Sequence, residues 1–106
     1  MVKRKADRRI IKIVKKYINA VRKDYTIDGA YLFGSFATGN FRDESDIDVA
    51  ILLKDYENRV LERVNLGKYT RGIDTRIEPH PIKTADFENR ASMMAREVIR
   101  TGIRIV

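Results

Sequence analysis

The 106-residue chain carries 22 Lys/Arg against 15 Asp/Glu, a net charge of +7, and no cysteine. Disulfides, thiolate metal sites and cysteine nucleophiles are thereby excluded, which fits a reducing cytoplasm. Its 43% hydrophobic content suffices for one modest core and predicts a single domain over 1–106. No apolar run approaches the ~20 residues needed to span a bilayer, and no secretory signal follows the basic start.

The charge is unevenly spread. Residues 1–23 hold ten Lys/Arg and one acid, Asp7, a net of +9, whereas residues 24–106 hold twelve Lys/Arg and fourteen acids, a net of −2. At 100° per residue, Ile10, Ile11, Val14, Tyr17, Ile18 and Val21 form one stripe, which predicts an amphipathic helix over about 6–23. Arg8, Arg9, Lys12, Lys15, Lys16, Arg22 and Lys23 fall opposite. That basic side is either a solvated face or a landing surface for RNA or an acidic protein.

Asp28-Gly29 marks a turn, and Ala30-Tyr31-Leu32-Phe33 reads as a short buried strand running into Gly34-Ser35. Residues 36–45 are loop-like, with room for one helical turn. Ile47, Val49, Ile51 and Leu53 then alternate with Asp46, Asp48, Ala50 and Leu52, a strand pattern. A second helix is predicted from Glu57 to about Tyr69, with Val60, Leu61 and Val64 facing inward. Ile73, Thr75 and Ile77 alternate with Asp74, Arg76 and Glu78, predicting a third strand that Pro79 and Pro81 terminate. Thr84 is a candidate cap for a turn around Asp86 and Phe87. A last helix is expected over about 91–101, stopped by Gly102, and residues 103–106 fit a short strand. The order is that of a mixed α/β (α+β) domain with a small mixed sheet flanked by helices. Within it a core spans about 27–81.

Asp46 and Asp48 stand two apart in an apolar strand, hence on one face with Cα atoms roughly 6.6 Å apart. Two carboxylates so close repel one another and are costly to desolvate, and a divalent cation with a preference for hard oxygen ligands relieves both. Taken alone, the pair also fits surface acids at an exposed strand start. Upstream, Gly34 lets backbone N–H groups approach a phosphate, and Ser35 adds a hydroxyl donor. A phosphate cradle followed by metal carboxylates is what Mg-NTP binding requires.

The string Gly34-Ser35-Phe36-Ala37-Thr38-Gly39-Asn40, followed by Asp43-Glu44-Ser45-Asp46-Ile47-Asp48-Val49-Ala50-Ile51, resembles the signature of the minimal nucleotidyltransferases. These belong to the DNA polymerase beta superfamily, with kanamycin nucleotidyltransferase and the poly(A) polymerases. The resemblance covers about residues 30–80 through specific motifs and the remainder through element order.

That resemblance implies a nucleotidyltransferase moving an NMP, with AMP favoured, from an NTP to a protein or RNA hydroxyl with release of pyrophosphate. Two Mg²⁺ ions, or Mn²⁺, would be held by Asp46, Asp48 and a third acid from a neighbouring strand. Asp74 is the favoured third acid, both as ligand and as proton acceptor, and Glu78 is its rival. The two would lie about 13 Å apart along one strand, too far to ligate the same metal pair. Gly34 and Ser35 would hold the phosphates, with Ser45 and Arg42 completing the nucleotide-binding set. Arg42 and Arg76 are equally well read as ion-pair partners. His80, the single histidine, reads as a rigid loop residue facing solvent. Small members of the family are often antitoxins paired with a helical HEPN toxin, which implies a protein partner. The alternative is a non-catalytic module that neutralises its partner by contact.

Overall fold

A computed structural model describes residues 7–106. The first residue of the predicted N-terminal helix, and the basic residues Lys3, Arg4 and Lys5, lie outside them. The elements are α1 (Arg8–Val21), β1 (Gly29–Phe33), α2 (Ser35–Thr38), β2 (Ile47–Leu53), α3 (Arg59–Gly67), a 3-10 turn (Lys68–Thr70), β3 (Ile77–Lys83), α4 (Thr84–Glu88), α5 (Met93–Thr101) and β4 (Ile103–Arg104). The strands form one mixed sheet in the order β3-β2-β1-β4. β1 runs antiparallel to β2 and to β4, and β2 runs parallel to β3.

β2 is central, and its two sets of side chains serve two cores. Ile47, Val49, Ile51 and Leu53 cluster with Val14, Tyr17, Ile18 and Val21 of α1 and with Leu66 and Ile77. Ala50 and Leu52 cluster on the other face with Phe33, Ile82 and Val98. Each aliphatic side chain so enclosed contributes about 1.5–3 kcal/mol of transfer free energy. Asp48 shares parity with Ala50 and Leu52, so it opens onto the second face, near the strand's start.

The starts of α1, α3 and α5 are fixed by polar caps. The Asp7 carboxylate accepts from the Arg9 amide at 2.8 Å, Asn58 Oδ1 from the Leu61 amide at 3.0 Å, and Ser92 Oγ from the Ala95 amide at 3.0 Å. Each satisfies an amide that the first helical turn leaves unpaired. Thr84 does not act as the expected cap. Lys83 occupies that position without a side-chain bond, and the Thr84 hydroxyl donates to Asp28 at 2.5 Å instead.

Two expectations are corrected. The third strand is displaced: residues 73–76 form a turn, and the strand runs Ile77–Lys83 straight through both prolines. β3 lies at the edge of the sheet, and in a parallel pair alternate residues direct their backbone groups to opposite sides. The Ile47 amide bonds the Arg76 carbonyl, while the Pro81 carbonyl accepts from the Tyr56 hydroxyl at 3.2 Å, outside the sheet. Pro79 and Pro81 therefore occupy outward positions, where a missing N–H costs no ladder bond.

The second correction concerns α3. Val60, Leu61 and Val64 are 74%, 58% and 57% exposed, and Leu66 is the helix's one buried residue. The Leu66 carbonyl accepts a 2.8 Å bond from the buried Tyr17 hydroxyl of α1, and burial pushes that phenol well above its ordinary pKa. The helix is thus anchored through its C-terminal end, and its apolar stripe faces outward.

This geometry predicts unequal costs along α3. Leu66→Ala should destabilise by about 2–5 kcal/mol through the cavity it leaves, and Val64→Ala by less than about 0.5 kcal/mol. Urea denaturation of the two variants checks the difference, and equal costs would contradict this packing.

Candidate active site

The Gly34-Ser35 turn, the start of β2 and the first half of β3 converge at one end of the sheet. In the parallel register Asp48 stands opposite Glu78, and Ala50 opposite His80. Antiparallel pairing sets Phe33 opposite Asp48. Asp48, Glu78 and His80 share the second sheet face, and one ligand atom from each lies within 4.8 Å of the others. α4 and α5 cover the Ala50–Leu52 part of that face through Phe87, Met94 and Val98, while the Asp48 and Glu78 side chains remain 25% and 34% exposed.

Gly34 is shaped by Asp48. Its φ of 75° and ψ of −151° belong to a region essentially reserved for glycine. A Cβ there would collide with Asp48 Oδ2. Glycine at this position thus answers a close-approach requirement.

His80 is not the solvent-facing loop residue that its flanking prolines suggested. It lies within β3, is 8% exposed, and places Nε2 3.0 Å from Asp48 Oδ1 and 3.8 Å from Glu78 Oε1. Its ring meets Phe33 edge-on, with centroids 5.2 Å apart. The signal in the sequence was period two: His80 follows Glu78 as Asp48 follows Asp46. Arg63 was also missed. It reaches from α3 to an ion pair with Glu78, and only the tertiary packing of α3 beside β3 brings it there.

The other expected residues divide. Asp46 is exposed immediately before β2, with no partner among the described residues. Ser35 opens α2 beside Gly34. Ser45 and Arg42 staple their own loop: Ser45 Oγ accepts from the Arg42 amide at 2.8 Å, and the Arg42 carbonyl from the Ser45 amide at 3.0 Å. The Arg42 side chain points to solvent.

Asp74 does not join the cluster. It sits in the turn before β3, and both carboxylate oxygens are taken by Arg76, with Oδ1 accepting from the amide and Nε and Oδ2 from the guanidinium at 2.7 Å. The bonds from the Arg76 side chain hold the Asp74 carboxyl below the usual aspartate range, and Asp74 in turn raises the Arg76 guanidinium. Arg76 also donates to the Asp43 carbonyl at 2.8 Å and lies over Phe36, which stacks on Phe41 at 4.5 Å. The Asp74–Arg76 pair thus ties the turn before β3 to the loop before β2.

Similarity to known proteins agrees with this fold and motif. Residues 14–106 match the family model described as Polymerase beta, Nucleotidyltransferase, and the chain belongs to that family. Two Methanocaldococcus jannaschii proteins, MJ0141 and MJ0604, provisionally named as protein adenylyltransferases, are 50% identical over 46 residues and 42% identical over 43 residues. The matches cover 43% and 39% of this chain and 46% and 43% of those relatives. A crystal structure of a provisionally assigned Sulfolobus solfataricus nucleotidyltransferase superimposes with a TM-score of 0.65 at 22% identity, over 91% of this chain and 78% of that one. A toxin–antitoxin complex with AMP-PNP gives 0.66 at 25% identity, over 86% and 70%. The complex of tri-AMPylated Shewanella oneidensis HEPN toxin with its MNT antitoxin gives 0.63 at 21%, over 92% and 71%.

Two outcomes follow for the site's framework. Gly34→Ala should cost about 1–3 kcal/mol in backbone strain and displace Asp48, visible as lowered urea stability. The Asp74–Arg76 pair should stabilise the fold at neutral pH. Because the folded-state pKa of Asp74 is lowered, that contribution persists above the ordinary aspartate value and is lost as pH falls through the depressed one. Arg76→Met should flatten this part of an acid-stability profile; an unchanged profile would remove the pair from it.

Proposed function

We propose that this chain is a metal-dependent nucleotidyltransferase that moves AMP from ATP onto a hydroxyl of a protein, with pyrophosphate released. The observation that carries the reading is the facing pair Asp48 and Glu78, with one carboxylate oxygen of each within 4.8 Å of the other, beside a Gly34-Ser35 turn on an open sheet end. The donor set fits a hard divalent cation, because carboxylate oxygens predominate and remain accessible. Asp46, Asp48 and Glu78 would hold two such ions, Mg²⁺ or Mn²⁺. Glu78 replaces Asp74 in this reading, since it faces Asp48 across a parallel ladder, whereas both Asp74 oxygens are engaged by Arg76 in the turn before the strand.

The chemistry that bound Mg²⁺ supplies is activation of the acceptor hydroxyl and neutralisation of charge on the triphosphate and leaving pyrophosphate. The chain's own residues arrange the rest. The Gly34 and Ser35 turn receives the β- and γ-phosphates, and Arg63 offers a cation at the same rim. Asp48 and Glu78 fix where the reacting phosphorus sits. The acceptor oxygen bonds the α-phosphorus as the bridging bond to the β-phosphate breaks, and pyrophosphate leaves with that electron pair. The Glu78 carboxylate takes the hydroxyl proton. Ser45 and Arg42 act by shaping the loop.

A protein acceptor is favoured over RNA by the outward apolar face of α3, since Val60, Leu61 and Val64 form an exposed apolar patch of the sort that marks protein contacts. The solved relatives in toxin–antitoxin complexes support the role of an antitoxin acting on a HEPN-type partner. A contact-only module is the second reading, supported by the same α3 face.

Incubating the chain with Mg²⁺, α-phosphate-labelled ATP and host lysate tests the proposal. Wild type should label a protein band. Asp48→Asn and Glu78→Gln should each lose about 100-fold or more, since several kcal/mol of transition-state charge stabilisation go with the metal. Asp74→Asn should stay within a few-fold of wild type. Absence of label with all four NTPs would favour the contact-only module, and loss with Asp74→Asn but not Glu78→Gln would return the third acid to Asp74.

A further inference from the structure

We propose that His80 is a positioning residue, holding the Asp48 carboxylate in its metal-binding orientation. The inference rests on the metal-dependent reading above and adds a residue to it. Three features of the geometry point there. The imidazole places Nε2 3.0 Å from Asp48 Oδ1, while Glu78 Oε1, at 3.8 Å, is beyond hydrogen-bond reach. An ionised carboxylate only accepts, so the proton resides on Nε2 and is donated to Asp48. Nδ1 is buried and has no hydrogen-bond partner, so nothing adjacent holds the proton there instead.

The ring is fixed without a second hydrogen bond. Its side chain is 10% exposed, and its face-to-edge contact with Phe33 closes one side. Pro79 and Pro81, both buried in the same strand, lock φ on either side of it. Asp48 is consequently gripped between two neighbours: His80 engages Oδ1, and Gly34, which has no Cβ, leaves the space that Oδ2 occupies. A carboxylate held in this way has lost its rotamer freedom before any cation arrives, and ordering costs that would oppose metal binding are already met. Partners of this kind, one shell out from a metal, typically change its affinity 10–100-fold. The strand between the prolines thus serves two ends, since Glu78 supplies a carboxylate and His80, two residues on, aligns another.

The test measures Mn²⁺ binding by electron paramagnetic resonance of the free ion, on the full chain without nucleotide. His80→Phe keeps a flat ring and removes the donor, and His80→Gln restores an N–H near the Nε2 position. His80→Phe should weaken Mn²⁺ binding about tenfold or more, and His80→Gln should recover most of it, with circular dichroism melts confirming that each is folded. Unchanged affinity in a folded His80→Phe overturns the positioning role. Wild type that binds no Mn²⁺ overturns the metal-dependent reading along with it. Binding that Asp48→Asn abolishes but His80→Phe leaves intact overturns the positioning role alone. Imidazole ¹⁵N–¹H correlation spectra of wild type give a second measurement that needs no folded variant: a proton on Nε2 is expected, and an Nε2 without a proton overturns the proposal.

Discussion

The structure depends on one pairing, the parallel ladder between β2 and the proline-bearing edge strand β3. Its register sets Asp48 against Glu78 and Ala50 against His80. A one-residue slip would turn Glu78 and His80 toward the α1 core and bring Pro79 onto the acid face. The register is held from both directions. Ile77 sits in the core with α1 and Leu66, and Ile82 sits in the opposite core with Val98. The Asp74–Arg76 clip fixes where the strand begins by tying the preceding turn to the Asp43 carbonyl.

The same arrangement explains how so small a chain keeps carboxylates beside a core. The β2 side chains on the α1 face are apolar throughout, whereas the second face is divided along its length. Helices cover the end bearing Ala50 and Leu52. The end bearing Asp48 stays partly solvated, so the acids keep water contact and avoid the full desolvation penalty of burial. Short-range partners engage both acids: His80 lies within hydrogen-bond distance of Asp48, and Arg63 forms an ion pair with Glu78. Proline at outward positions of the edge strand also blunts that edge against pairing with another chain.

Much of the fold was legible because its signals are local. Helical periodicity placed α1, alternation placed β2, and Gly34-Ser35 with Asp46 and Asp48 gave the family resemblance that the matching family model bears out. The displaced third strand and the misplaced His80 share one cause. Proline was read as a strand terminator, although its penalty applies only where the missing N–H faces a neighbour, and that depends on strand order. With the strand placed four residues early, Asp74 was set on the ladder where Glu78 stands opposite Asp48, and His80 was consigned to a loop. The apolar stripe of α3 was likewise taken as inward, because periodicity identifies a face without saying what covers it.

What the sequence by itself determined is the element order, the α1-facing core and the phosphate-and-acid motif, since each is written in residues within a few positions of one another. Only the tertiary structure decided which acid stands opposite Asp48, that His80 grips it, and that Arg63 reaches the site from α3. Those contacts join residues 15 to 32 positions apart. They exist because a parallel ladder needs a long crossover, here through α3, before the second strand can return beside the first.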